Sequence, residues 1–275
     1  MLVKLFGDRT PIDWQALGVK LPFAPMHELA KKYELEFPYL GAAIPERNNS
    51  VVQDICRTFE ISKLTFPQDI ELIQRINHRV QNTITTLDQA TPDTICINLG
   101  GGYHHGKKYP KDGYAYSLIN DIIWAVDRQL EQGKTVGIID LDFHFGGGTY
   151  EYYAENPHVF IQDQHHPKGV LHKHEGLTYA YTDELTVIPY VQPVDKIILN
   201  LGTDWFHDDP VFGKYGNMLS HDILVVWMET IQQIVDRKIP LCITMGGGYG
   251  SDGLSLYEHL IEWLTFYEPQ DVRTS

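Results

Sequence analysis

The sequence predicts a three-layer α/β/α sandwich with a mainly parallel central sheet, formed by residues 1–275 as a single domain. From about residue 94 onward, short aliphatic runs alternate with longer amphipathic stretches. The short runs are apolar throughout, which is typical of parallel strands covered on both faces. A chain of 275 residues that is 43% hydrophobic is long enough to bury one large core.

The segments follow in chain order. Five prolines break residues 1–65 into short pieces, so we expect an irregular cap packed on the sheet. Apolar residues recur every three or four positions and predict helices at 67–87, 117–132, 220–237 and 254–266. Gly133 is expected to end the second helix, and Ser220 to cap the third. Strands are predicted at 94–99, 135–141, 159–161, 186–190, 196–201 and 240–244.

Charge and composition limit the classes of function. A net charge of -14 argues against a nucleic-acid groove, which needs a basic stripe. The charge mildly favours a cationic substrate, although solubility alone explains it equally well. The amino terminus lacks a signal peptide and no run approaches bilayer length, so we predict a cytoplasmic protein without a membrane partner. The sequence leaves the oligomeric state open.

The three cysteines give no sign of a disulfide framework. Cys96 and Cys242 lie inside predicted buried strands, where cysteine behaves as a small hydrophobic residue. A thiolate zinc site is therefore disfavoured as well.

Polar residues follow four of the predicted strands at the point where each ends. Gly100–His105, Asp140–His144, Asp204 and Met245–Tyr249 each come at the end of an apolar run. Open α/β sheets bind their ligands at the carboxyl ends of the strands. We therefore expect these segments to form one site.

A metal centre is predicted within that site. Asp142 and His144 are two residues apart, so their side chains share one face, and Asp204 from another strand would supply a third ligand. One imidazole and two carboxylates suit Zn²⁺, with Fe²⁺ or another first-row metal as the alternative. The competing interpretation is that an Asp-rich strand end merely caps the next helix.

Three further residues suit acid–base and oxyanion chemistry. His104 and His105 follow three glycines, and imidazole titrates near neutrality. Among 13 histidines a neighbouring pair can arise by chance, and His165-His166 is a second pair near a strand end. Tyr249 follows three glycines and could hydrogen-bond a developing oxyanion, although such a turn is often only structural.

These motifs resemble the zinc-dependent histone deacetylases, a superfamily that includes acetylpolyamine amidohydrolases and acetoin-utilisation-type proteins. The similarity covers roughly residues 94–265. The glycine-rich His-His segment, the Asp-x-Asp-x-His segment, the Gly-Thr-Asp segment and the glycine-tyrosine turn occur in the family's order. Gly113-Tyr114, Asn120-Asp121 and Asp209-Pro210 are similar to further family motifs.

The resemblance implies an arginase/deacetylase-like fold that holds one divalent metal ion on Asp142, His144 and Asp204. It also implies a possible structural K⁺ on Asp140, Asp142 and His144. Binuclear arginase-type enzymes need extra carboxylates at the positions that Gly146 and Phe206 occupy, which disfavours a second divalent ion.

The resemblance assigns catalytic roles as well. His105 would be the general base and then the acid, Asp140 would orient His104 as an electrostatic partner, and Tyr249 would polarise the acyl oxygen. The implied function is a metal-dependent amidohydrolase that removes an acyl group, acetyl being the first candidate. Its substrate would be a small acylated amine or an acyl-lysine.

One position departs from the family. Gly147 stands where the family has a polar residue that orients the second histidine, so we expect a weaker base unless another group substitutes. Two alternatives follow: a hydrolase of an ester, thioester or formamide, or a metal-bearing pseudoenzyme that binds acylated ligands.

Overall fold

A computed structural model of the chain describes residues 1–6, 32, 67–106, 120–164, 170–174, 177–181, 185–187, 192–210, 213–248, 250 and 253–266. The strands are β1 (Leu2–Phe6), β2 (Thr94–Asn98), β3 (Val136–Leu141), β4 (Val159–Asp163), β5 (Val170–His174), β6 (Leu177–Tyr181), β7 (Lys196–Leu201) and β8 (Leu241–Met245). The helices are α1 (Pro67–Gln89), α2 (Asp121–Leu130), α3 (Gly147–Tyr153), α4 (Gly213–Gly216), α5 (Ser220–Asp236) and α6 (Gly253–Phe266).

Six of these strands form one parallel sheet in the order β1-β2-β8-β7-β3-β4, and β5 pairs with β6 as a separate antiparallel hairpin. The parallel sheet flanked by helices confirms the predicted fold class. Within the part of the chain described above, no helix combines the length and apolarity needed to cross a membrane. That residues 1–275 form one domain stays a prediction.

Successive residues of each strand belong to two apolar layers on opposite faces of the sheet. On β7, Ile197 and Leu199 pack in one layer with Trp227 of α5 and residues of α6. Ile198 between them packs in the other layer with residues of α2, including Ile122. Because both faces are covered, the carboxyl edge is where the sheet can present polar side chains.

The first strand corrects the prediction of an irregular cap over residues 1–65. Leu2–Phe6 pairs in parallel with β2 at the edge of the sheet, with Leu2 opposite Thr94. Val3 and Leu5 pack against the core while Leu2 and Lys4 are exposed, so this strand alternates as a one-sided edge strand does. The rest of the cap, apart from Lys32, lies outside the described residues.

Other differences are local. Residues 186 and 187 are not in a strand, and 188–190 lie outside the described residues. The β5–β6 hairpin and α3 were not predicted. Leu219, not Ser220, is the N-cap residue of α5, and no side chain caps that end.

The second predicted helix is shorter than its amphipathic pattern. It begins after Asn120, whose side chain accepts a hydrogen bond from the Ile123 N–H and so caps the helix. Gly133 has φ +74 and follows the end of that helix, as expected of a glycine that terminates one.

Candidate metal centre

Asp142, His144 and Asp204 converge because β3 and β7 are neighbours in register. Leu141 ends β3 opposite Leu201, which ends β7. Asp142 follows β3 directly, and Asp204 comes three residues after β7. One ligand atom from each of the three side chains lies within 4.8 Å of the others. In the described part of the chain this is the one cluster of three His, Cys, Asp or Glu residues that could hold an ion.

The two carboxylates lie at the bottom of the cluster and the imidazole lies nearer to solvent. Asp142 and Asp204 are 1% and 0% exposed, whereas the His144 side chain is 16% exposed. His144 Nδ1 lies 2.8 Å from Asp204 Oδ2 and 3.2 Å from Asp142 Oδ1. The potential metal-ligand atoms of all three side chains therefore surround one small volume.

The electrostatics of this volume favour a positive charge. Burial alone would lower the pKa of His144, but the hydrogen bond with Asp142 and the charges of Asp204 and Asp142 raise it to about 10. Burial, together with the nearby Asp142 charge, raises the pKa of Asp204. Two buried carboxylates side by side attract a cation strongly because they are removed from water.

The donors present fit a divalent metal ion. Asp204 Oδ2 is buried and, among the described residues, accepts no hydrogen bond of normal geometry, despite its closeness to His144 Nδ1. A buried acceptor left in this way is costly unless a cation takes the place of a donor. The donor set of one nitrogen and two carboxylates is typical of mononuclear zinc sites with room for further ligands.

Two glycines allow the backbone to approach these carboxylates. A Cβ on Gly202 would lie 2.6 Å from Asp204 Oδ1 and closer still to Asp142 Oδ2. A Cβ on Gly247 would lie 2.5 Å from Asp142 Oδ2 and 2.6 Å from Asp204 Oδ2. The Gly247 N–H donates to Asp142 Oδ2 at 2.8 Å. Space, not backbone conformation, requires glycine at both positions.

The histidine pair lies directly beside this cluster. His104 is buried, with Nδ1 2.6 Å from Asp140 Oδ2 and Nε2 3.5 Å from Asp142 Oδ1. Burial would lower the pKa of His104, but the charges of Asp140 and Asp142 raise it to about 9. The His105 ring centroid lies 4.2 Å from that of His104 and 5.5 Å from that of His144.

The structure thus brings together six of the residues that the sequence singled out. They are His104, His105, Asp140, Asp142, His144 and Asp204. Tyr249, His165 and His166 lie outside the described residues.

A row of buried polar residues supports these side chains and was not predicted as such. Asn200 Nδ2 donates to Asp140 Oδ1 at 3.0 Å, and the Thr244 hydroxyl donates to Asn200 Oδ1 at 2.9 Å. Asn98, Thr244, Asn200, Asp140 and Asp163 are opposite one another across five neighbouring strands. The only sequence signal was a polar residue inside an apolar run, as at Asn200.

The start of α2 holds the glycine-rich loop that precedes the histidines. The Asp121 carboxylate accepts the N–H groups of Gly102 and Tyr103 and the hydroxyl of Thr83. Asn120 Nδ2 donates to the His104 carbonyl at 3.1 Å. The sequence had marked Asn120 and Asp121 only as a matching motif, and these contacts give them a physical role.

Gly146, not Gly147, adjoins the His104–Asp140 pair. A Cβ on Gly146 would lie 2.7 Å from Asp140 Oδ2, whereas a Cβ on Gly147 would meet the Phe145 ring at 3.6 Å. The Gly146 N–H donates to Asp163 Oδ2 at 2.8 Å. Asp163 is therefore a third buried carboxylate near His104, after Asp140 and Asp142, and its charge contributes to the raised pKa of that imidazole.

Comparison with known proteins identifies relatives of part of this chain. A sequence profile described as the histone deacetylase domain matches residues 44–178, which include His104-His105 and Asp140–His144 but neither Asp204 nor Tyr249. The acetylpolyamine amidohydrolase of Mycoplana ramosa is 27% identical over 170 residues, which cover 51% of this chain and 48% of that protein.

Two histone deacetylases show similar relationships. The probable histone deacetylase 19 of Zea mays is 28% identical over 179 residues, which cover 56% of this chain and 34% of that protein. The histone deacetylase HDAC1 of Drosophila melanogaster is 38% identical over 71 residues, which cover 26% of this chain and 13% of that protein. The matches span about half the length of the Mycoplana relative and about a third or less of these two.

Replacement of Gly202 by alanine tests the crowding around the carboxylates. We expect Gly202→Ala to weaken Zn²⁺ binding by about tenfold or more, because the new methyl group must displace Asp142 or Asp204. Zinc affinity would be measured by competition with a chelator, and folding by thermal unfolding. Gly147→Ala is the matched control, since its Cβ makes ordinary contacts. Equal zinc affinities in the two variants would contradict the crowding.

Proposed function

The chain belongs to the histone deacetylase superfamily, and we propose that it is a metal-dependent amidohydrolase that removes an acyl group, acetyl first of all, from an amine. The observation that carries this proposal is the buried cluster of Asp142, His144 and Asp204 with His105 beside it. Hydrolysis of an amide needs an activated water molecule and a group that moves protons, and this arrangement places candidates for both together.

Asp142, His144 and Asp204 would hold the metal ion. Zn²⁺ is the first candidate for a set of one imidazole and two carboxylates, with Fe²⁺ or another first-row ion as the alternative. When bound, such an ion lowers the pKa of water to about 7 and polarises a carbonyl group. A structural K⁺ beside Asp140 is a separate prediction from the family resemblance.

The two histidines would have different tasks. The pKa of His104 is raised to about 9, so this imidazole is already protonated at neutral pH and is unsuited to act as the base. It would instead provide a fixed positive charge close to the reacting groups. His105 is less buried and would accept the proton of the attacking water, then deliver it to the nitrogen of the leaving amine.

Tyr249 would complete the site. Its phenol would donate a hydrogen bond to the oxygen that becomes negatively charged as the acyl carbon turns tetrahedral. This role follows from its position in the family motif, directly after Gly246–Gly248.

The substrate class follows from two independent features. The name of the Mycoplana relative specifies acetylpolyamines as its substrates, and other relatives are named for deacetylation of histones. The chain carries a net charge of -14, which attracts cations over long distances. We propose an acylated amine that keeps a positive charge elsewhere, such as an acetylated polyamine or an acyl-lysine side chain.

Metal analysis tests the site itself. We expect one divalent ion per chain, and Asp204→Ala should lose both the ion and the hydrolysis of acetylated amines. Asp208→Ala is the matched control, because it removes an exposed carboxylate from the same loop. Elemental analysis and a chelator titration would measure the ion. Two ions per chain, or none after gentle purification, would contradict the mononuclear assignment.

Two substitutions test the acid–base and oxyanion roles. His105→Ala should lower kcat by about 10² or more, which is the usual contribution of a positioned acid–base group. Tyr249→Phe should cause a similar loss by removing one oxyanion donor. Both variants should retain their metal, and His158→Ala should be as active as wild type, because His158 is exposed. A kcat unchanged in His105→Ala would show that another group moves the proton.

Ionic strength tests the charge argument. At low salt we expect a higher kcat/KM for cationic acetylated amines than for neutral analogues of the same length, and salt should reduce the difference. Steady-state kinetics from low to high ionic strength would measure it. Equal turnover of cationic, neutral and anionic substrates at low salt would reject the charge argument and leave the hydrolase proposal standing.

A further inference from the structure

Tyr257 contacts the ends of two neighbouring strands of the sheet, β7 and β8. It lies within α6, it is 0% exposed, and its hydroxyl reaches the carboxyl edge of the sheet. The hydroxyl oxygen lies 2.9 Å from the Leu201 carbonyl oxygen and 3.2 Å from the Gly247 carbonyl oxygen, so its one proton is shared between the two acceptors. Leu201 is the last residue of β7, and Gly247 is the second residue after β8. One hydroxyl therefore bridges both strand ends.

The two bridged segments enclose the candidate metal centre. The chain leaving β7 leads to Asp204, and the chain leaving β8 places the Gly247 N–H on Asp142 Oδ2 at 2.8 Å. Burial, together with the charges of Asp142 and Asp204, raises the pKa of the Tyr257 phenol well above its ordinary value. A shift of the Gly247 peptide would change the position of Asp142.

The phenol ring of Tyr257 packs against a tryptophan of the neighbouring helix. It stacks on Trp227 of α5 with ring centroids 5.4 Å apart and an interplanar angle of 13°. Packing alone would accept phenylalanine, because burying a hydroxyl is costly unless it forms hydrogen bonds.

The hydroxyl is not needed to satisfy the two carbonyls. The Leu201 carbonyl accepts the Gly246 N–H at 2.7 Å, and the Gly247 carbonyl accepts the Thr203 N–H at 2.9 Å. What the hydroxyl adds is a third link, from α6, between two segments that these backbone hydrogen bonds already join.

We propose that Tyr257 is a positioning residue for the metal centre. Its hydroxyl holds the Gly246–Gly248 turn against the end of β7 and thereby keeps the Gly247 N–H on Asp142. This inference rests on the proposed function, because it requires Asp142 to be a metal ligand. Tyr249 follows this turn directly, so we expect turnover to depend on the bridge as well.

Replacement of Tyr257 by phenylalanine tests the bridge. We expect Tyr257→Phe to fold, since ring stacking and both backbone hydrogen bonds remain, and to bind Zn²⁺ about tenfold or more weakly. Chelator competition would measure the zinc dissociation constant, and thermal unfolding the stability. Tyr153→Phe is the matched control: that phenol is also buried, but its hydroxyl donates to the Ile123 carbonyl and to Asp127. This control should lose stability without losing zinc affinity.

A second pair of variants tests the positioning role if Tyr257→Phe does not fold. The Thr203 hydroxyl also donates to the Gly247 carbonyl, at 3.4 Å. Thr203→Val removes this hydrogen bond between the segments that follow β7 and β8, and Thr203→Ser keeps it. The valine variant should bind zinc more weakly than the serine variant, and equal zinc affinities in that pair would overturn the positioning role.

The outcomes separate this inference from the function on which it rests. A wild-type chain that binds zinc, with Tyr257→Phe and Tyr153→Phe equal to it, would overturn the positioning role and leave the metal centre standing. A wild-type chain that binds no zinc would contradict the proposed function and this inference together. Weaker zinc binding in Tyr257→Phe alone would support the bridge.

Discussion

The close approach of two buried carboxylates is the constraint on which the rest of the site depends. Asp142 and Asp204 emerge from neighbouring parallel strands that end in register, so the pairing of β3 with β7 forces them together. Two negative charges removed from water are unfavourable without a positive partner. The neighbouring residues accommodate the two charges. His144 lies next to both carboxylates, and Gly202 and Gly247 have no side chain that would displace them.

The faces of the parallel sheet form the core, whereas its carboxyl edge carries the polar residues of the site. Its strands are apolar on both faces and are covered by helices, which provides the two layers of the core. At the carboxyl edge, five polar residues lie opposite one another and form a row across five strands: Asn98, Thr244, Asn200, Asp140 and Asp163. Hydrogen bonds along this row from Thr244 through Asn200 to Asp140 fix the carboxylate that orients His104.

Environment, not residue type, distinguishes the two adjacent histidines. His104 is enclosed by carboxylates, whose charges raise its pKa against the opposing effect of burial. His105 is more accessible and contacts the rings of both His104 and His144. Asp163 of β4 adds a further buried carboxylate near His104 and accepts the Gly146 N–H.

The sequence by itself predicted the fold class and the candidate metal cluster, because both signals are local. An apolar run predicts a buried strand, and the polar residues at its end mark the edge where ligands bind; this located Asp142, His144 and Asp204. Short segments such as Leu2–Phe6 carried too weak a pattern to be assigned to the sheet. Only the tertiary structure revealed the roles of Asn200 and Tyr257, because their partners are distant in the sequence and are brought together by strand order and helix packing.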